Sequence, residues 1–181
     1  MNPSDMTEHY CVRVAGESLR FSAAHFITFA DGDVEPLHGH DYRVAAEIAA
    51  PLGPHGYVID FLTVERALKE MIHELDHRTL LPGRHPVFRV DVRPSEIEVA
   101  MGTRRWVLPR EDCVLLPIAN TTAETIAGHL ARGLYTKLAE RAAQPPASVR
   151  VEVHESPGFA GVCTLNSTDS DPPTSCSTWR S

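Results

Sequence analysis

Residues 37–48, LHGHDYRVAAEI, decide how the chain is read. Side chains alternate between two faces along an extended segment, so His38 and His40 fall on one side and Gly39 leaves space between them. Tyr42, Val44, Ala46 and Ile48 continue that side as an apolar face that requires cover. Upstream, Tyr10 to Phe21 also reads as a strand and leads to His25. The polar loop Asp31 to Glu35 lies between the two strands, and the connection is long enough to fold one back beside the other. His25 then joins His38 and His40.

Three neutral imidazoles leave one position of a tetrahedron open, which is the donor set of catalytic rather than structural zinc. Nickel and iron accept the same donors, and HxH alone also describes solvent-facing histidines in a chain that has 10 of them. Glu35, three residues before His38, can turn a carboxylate into such a pocket to move a proton or bind substrate, or can be an ordinary acidic loop residue. Asp76 beside His77 suits a proton relay, since histidine titrates near neutrality. Neighbouring helix positions do not face each other, so this pairing requires a turn. Glu155, after the last strong strand, can accept two N–H groups from an amidine-like edge, and Thr122 can offer a hydroxyl or backbone N–H to a ring carbonyl; both also fit structural caps.

Outward from these residues, Val64, Leu68, Met71, Ile72 and Leu75 predict a helix over 62–77, preceded by YVIDF as a short strand or extended stretch. A second helix is expected from Thr121, capped in a box with Glu124 and carried by Ile126, Leu130, Leu134 and Leu138. Short strands are expected at 89–92, 97–100 and 105–108, and a final strand at 149–154 is followed by a short one near Val162. The pattern is that of an α+β domain, an antiparallel sheet with helices on one face. Its open edges and uncovered face point to association with further copies.

One domain over residues 1–165 accommodates all of this, and the polar stretch 166–181 reads as a disordered tail. With 17 Lys plus Arg against 24 Asp plus Glu, no broad basic surface is available for nucleic acid. Neither a signal-like segment nor an apolar run long enough for a bilayer is present, so a cytoplasmic protein without a membrane partner is expected. Cys11, Cys113, Cys163 and Cys176 are widely spaced without a CxxC, which indicates neither a zinc–thiolate cluster nor a disulfide framework.

FSAAH (21–25), LHGHDY (37–42), YVIDF (57–61), LDH (75–77), NTTAE (120–124) and HESPGFAG (154–161) together resemble the 6-pyruvoyl-tetrahydropterin and 6-carboxytetrahydropterin synthase family. The resemblance implies the tunnelling fold: a four-stranded antiparallel sheet and two helices per subunit, with the barrel closed by oligomerisation as a homohexamer built from two trimers. It implies Zn2+ on His25, His38 and His40, proton transfer by Asp76 and His77, and a pterin triphosphate substrate anchored by Glu155 with Thr122. In the pyruvoyl- and carboxy-forming members a catalytic cysteine stands four residues before HGH. Here that position is Val34, and Glu35 creates ExxHGH, similar to the branch that uses glutamate instead. The expected activity is therefore that of a zinc-dependent lyase cleaving 7,8-dihydroneopterin triphosphate to 6-hydroxymethyl-7,8-dihydropterin. The alternatives are a 6-carboxy- or 6-pyruvoyl-tetrahydropterin synthase and a non-catalytic pterin-binding protein.

Overall fold

The computed structural model describes residues 8–141 and 145–167, so nearly all of the tail expected over 166–181 lies outside the described residues. Strand β1 (Cys11–His25) pairs antiparallel with β2 (His38–Ala49), from Cys11 opposite Ala49 to His25 opposite His38. The other edge of β2 takes β8 (Ser148–Ser156), which continues into β9 (Phe159–Asn166). These four strands form the expected antiparallel unit.

Two further strands extend it. Strand β3 (Arg78–Pro82) joins β1 in parallel and β7 (Cys113–Leu116) joins β3 in parallel, giving a six-stranded mixed sheet in the order β7-β3-β1-β2-β8-β9. Their apolar runs are too short to show alternation, and in the sequence they resemble the end of one helix and the approach to the next.

Helices α1 (Phe61–His73) and α2 (Ala123–Ala139) cover one face of the sheet. Phe21, Tyr42, Val44, Ile48, Val149 and Val151 meet Leu68, Ile72, Ile126, Leu130 and Leu134 in a single core. YVIDF is not a strand, because Asp60 caps α1 by accepting the Leu62 N–H at 3.2 Å. The helix also stops at His73, four residues before the expected end, and the chain turns through residues 74–77. At α2 the cap is Thr122, whose hydroxyl accepts the Thr125 N–H at 3.4 Å, and not Thr121. Thr121 is fully buried and its hydroxyl donates to the Phe26 carbonyl at 2.7 Å.

The three short central strands, β4 (Arg89–Val92), β5 (Glu96–Met101) and β6 (Arg104–Pro109), form a separate antiparallel sheet. Ile97 and Val99 of this sheet enclose a second core with Phe26, Val34, Leu81, Phe88 and Cys113.

The large sheet's other face is charged. Arg13 lies 3.6 Å and His154 3.2 Å from the Glu152 carboxylate. Among the described residues its outer strands β7 and β9 are each paired on one side only, and they do not close a barrel. Among the described cysteines, Cys113 and Cys163 are free thiols, whereas Cys11 is disulfide-bonded, which the spacing did not indicate. No helix among the described residues is long and apolar enough to cross a membrane.

Candidate metal centre

Pairing of His25 with His38, and of Ala23 with His40, places all three imidazoles on one face at the end of the β1–β2 ladder. The ring atoms they offer as ligands all lie within 4.8 Å of one another. Gly39 between them packs closely on the facing strand, where a Cβ would stand 3.3 Å from the Ala23 carbonyl oxygen.

Backbone carbonyls orient two of the rings. His25 Nδ1 donates to the Thr121 carbonyl at 2.7 Å and His38 Nδ1 to the Pro36 carbonyl at 2.9 Å, so both present an unprotonated Nε2 inward. His40 Nε2 therefore donates to His38 Nε2 at 2.8 Å, through a proton that a bound cation would displace. His25 Nε2 is buried without a hydrogen-bond partner, an arrangement that costs free energy unless something ligates it. Burial holds the His25 pKa below its ordinary value, against the opposing pull of the Thr121 carbonyl and Glu155. Neutral nitrogen donors converging on one point fit a divalent cation of the zinc type.

Two carboxylates flank the cluster. Glu155 Oε1 lies 3.9 Å from His25 Nε2, and Glu35 Oε2 lies 3.8 Å from His38 Nδ1. Beneath the imidazoles, Tyr42 is fully buried, its ring centroid 5.6 Å from that of His40. Burial, then the nearby Glu155 and Glu35 carboxylates, push the Tyr42 hydroxyl pKa far up and keep it neutral.

Asp76 and His77 meet through the turn rather than along a helix. His77 adopts φ 57°, a left-handed conformation that swings its Nδ1 to 3.0 Å from Asp76 Oδ2. Asp76 is tied to β1 by accepting the Ser22 N–H at 2.8 Å, and the His77 N–H donates back to the Ser22 carbonyl at 2.7 Å. Burial raises the Asp76 pKa, but the Ser22 N–H and His77 outweigh it and the net direction is down. The mostly exposed His77 opens onto a cleft of about 680 Å³ shared with Ser22, Gly39, His40 and Asp41.

Thr122 stands at the start of α2 as its cap, next to the Thr121 carbonyl that orients His25. Sequence reading missed that carbonyl and Asn120. Asn120 brackets Thr28, accepting its N–H at 3.2 Å and donating to its carbonyl at 2.9 Å. Neither role leaves a spacing signal, since each joins residues more than 90 positions apart.

The family profile of 6-pyruvoyl tetrahydropterin synthase matches residues 16–164. A provisionally assigned 6-carboxy-5,6,7,8-tetrahydropterin synthase from Methanocaldococcus jannaschii is 32% identical over 146 residues, 80% of this chain and 88% of the relative. The 6-pyruvoyl tetrahydropterin synthase of Plasmodium vivax superposes with a TM-score of 0.81 at 26% identity, covering 88% of this chain and 99% of its own. The structure of that enzyme with a catalytic glutamate replaced by alanine superposes equally well. These likenesses correct the expected product. The relative from Methanocaldococcus jannaschii and the Plasmodium vivax enzyme are synthases named for 6-carboxy and 6-pyruvoyl products, in place of the expected 6-hydroxymethyl-7,8-dihydropterin. The inference from Val34 and Glu35 failed because the identity of a proton carrier does not fix which bond breaks. With a cluster suited to a metal at the end of an α+β tunnelling-type fold, this chain belongs to the 6-pyruvoyl tetrahydropterin synthase family of metal-associated enzymes.

Proposed function

We propose that the protein is a zinc-dependent 6-carboxy-5,6,7,8-tetrahydropterin synthase acting on 7,8-dihydroneopterin triphosphate. The observation that carries this reading is the buried, unpartnered His25 Nε2, set beside His38 and His40 with a carboxylate on either side. His25, His38 and His40 hold the ion. Bound there, zinc supplies Lewis-acid polarisation of the substrate's side-chain oxygens.

Glu155 accepts two N–H groups from the amidine-like edge of the pterin, and Thr122 orients the ring from the start of α2. This places the substrate's side chain toward the histidines. Glu35 moves a proton at the side-chain carbons, and His77, held by Asp76, moves the opposite one. A catalytic glutamate in the Plasmodium vivax relative supports Glu35 in the place of the usual thiol. Closure of the unpaired sheet edges by further copies, as a homohexamer of two trimers, belongs to the same proposal.

A second reading, 6-pyruvoyl-tetrahydropterin synthase, is favoured by the likeness to the Plasmodium vivax structure. Incubation of the zinc-loaded enzyme with 7,8-dihydroneopterin triphosphate, followed by chromatographic separation of the pterins, distinguishes the two. The 6-carboxy product is expected; the 6-pyruvoyl product assigns the second reading, and a bound pterin that is never turned over contradicts both.

A further inference from the structure

The small sheet β4–β6 packs against the loop that carries Glu35. Within the peptide unit joining Val34 to Glu35, the Glu35 N–H donates to the Ile27 carbonyl at 2.9 Å and the Val34 carbonyl accepts from Arg104 Nη1 of β6. Both polar ends of that unit are therefore held. A guanidinium makes a charge-assisted bond, stronger than a neutral donor would supply.

The rest of the loop is fixed from the same side. Val34 is 5% exposed, packed in the small sheet's own core, and bridges to Thr28. Trp106 of β6, on the same face as Arg104, stacks on Phe26 at 4.6 Å and 11°. His85 accepts the N–H groups of Val87 and Phe88 on Nδ1, at 3.2 and 3.1 Å, which leaves its proton on Nε2 to donate to Thr28 Oγ1 at 2.8 Å. Arg105, one residue along, points to the opposite face and pairs with Glu98 at 3.0 Å.

We infer that Arg104 is a positioning residue for Glu35: by holding the Val34 carbonyl it sets the backbone from which the Glu35 carboxylate reaches the substrate. This rests on Glu35 being the proton carrier. Displacement of a catalytic group by about 1 Å costs up to roughly 100-fold in rate, which is the range at stake.

Turnover of 7,8-dihydroneopterin triphosphate and bound zinc are measured for wild type, Arg104→Met, Arg104→Lys, Glu35→Gln and the Arg104→Met/Glu35→Gln pair, with Arg105→Met as control. Arg104→Met is expected to lower kcat roughly 10- to 100-fold with KM and zinc content unchanged. Arg104→Lys recovers part of the loss, Arg105→Met leaves kcat near wild type, and Arg104→Met adds no further loss once Glu35 is Gln. Wild-type kcat in Arg104→Met beside a lost kcat in Glu35→Gln overturns the inference alone, as does an equal loss in both backgrounds. Wild-type kcat in Glu35→Gln overturns the reading of Glu35 and the inference with it. Should Arg104→Met fail to fold, Arg104→Gln decides, an intermediate kcat supporting the inference and an unchanged one overturning it.

Discussion

At His25 burial disfavours the imidazolium, and the adjoining His38 and His40 rings act in the same direction, so the folded protein holds this ring neutral below its ordinary pKa of 6.5. The unfolded chain takes up a proton as pH falls through 6.5 and the folded chain does not. His25 therefore contributes stability above that value and loses it progressively below. Metal-free protein is expected to show a thermal midpoint that falls from pH 7.5 to 5.5, and a shallower fall in His25→Leu. Equal slopes in the two would show that His25 is not the linked group. The neutral ring is also the ligating form, so burial and metal affinity act together at this residue.

Among the elements, the β1–β2 ladder was legible in the sequence because period-two alternation shows directly in HGHDYRV and places His38 and His40 on one face. Both helices were legible from their apolar spacing, although their ends were set by caps, at Asp60 and Thr122, that the periodicity does not show. The parallel strands β3 and β7 were not legible, since short apolar runs carry no period. Nor was the grip of β6 on the Glu35 loop, which joins residues 70 positions apart. One contact between elements is especially close. A Cβ on Gly161 of β9 would lie 2.2 Å from the backbone of Ala123 and Glu124, where α2 begins beside the site. Gly161→Ala is expected to cost roughly 3 kcal/mol in chemical denaturation, because backbone, not a flexible side chain, must move. Gly16→Ala, with nothing within 4 Å, serves as the reference and should change stability by less than about 0.5 kcal/mol. Similar effects for both would mean that β9 and α2 are not packed this closely.

In the whole molecule, the helix-covered face holds the core while the opposite face carries Arg13, Glu152 and His154, and among the described residues the sheet ends in two strands paired on one side only. Open sheet edges of this kind are consistent with closure by further copies. The histidine cluster suited to a metal lies where β1, β2 and the start of α2 meet, so strand register, helix capping and ring orientation all converge on the same three histidines. The central claim, that these residues bind a catalytic ion with a position left for substrate, is tested most directly by titrating the metal-free protein with Co2+ and recording its visible spectrum. The account predicts one ion per chain with the strong absorption of a four-coordinate site, a spectral change on adding 7,8-dihydroneopterin triphosphate, and loss of both in His25→Ala. Absence of stoichiometric binding, or an unchanged spectrum in His25→Ala, would contradict it.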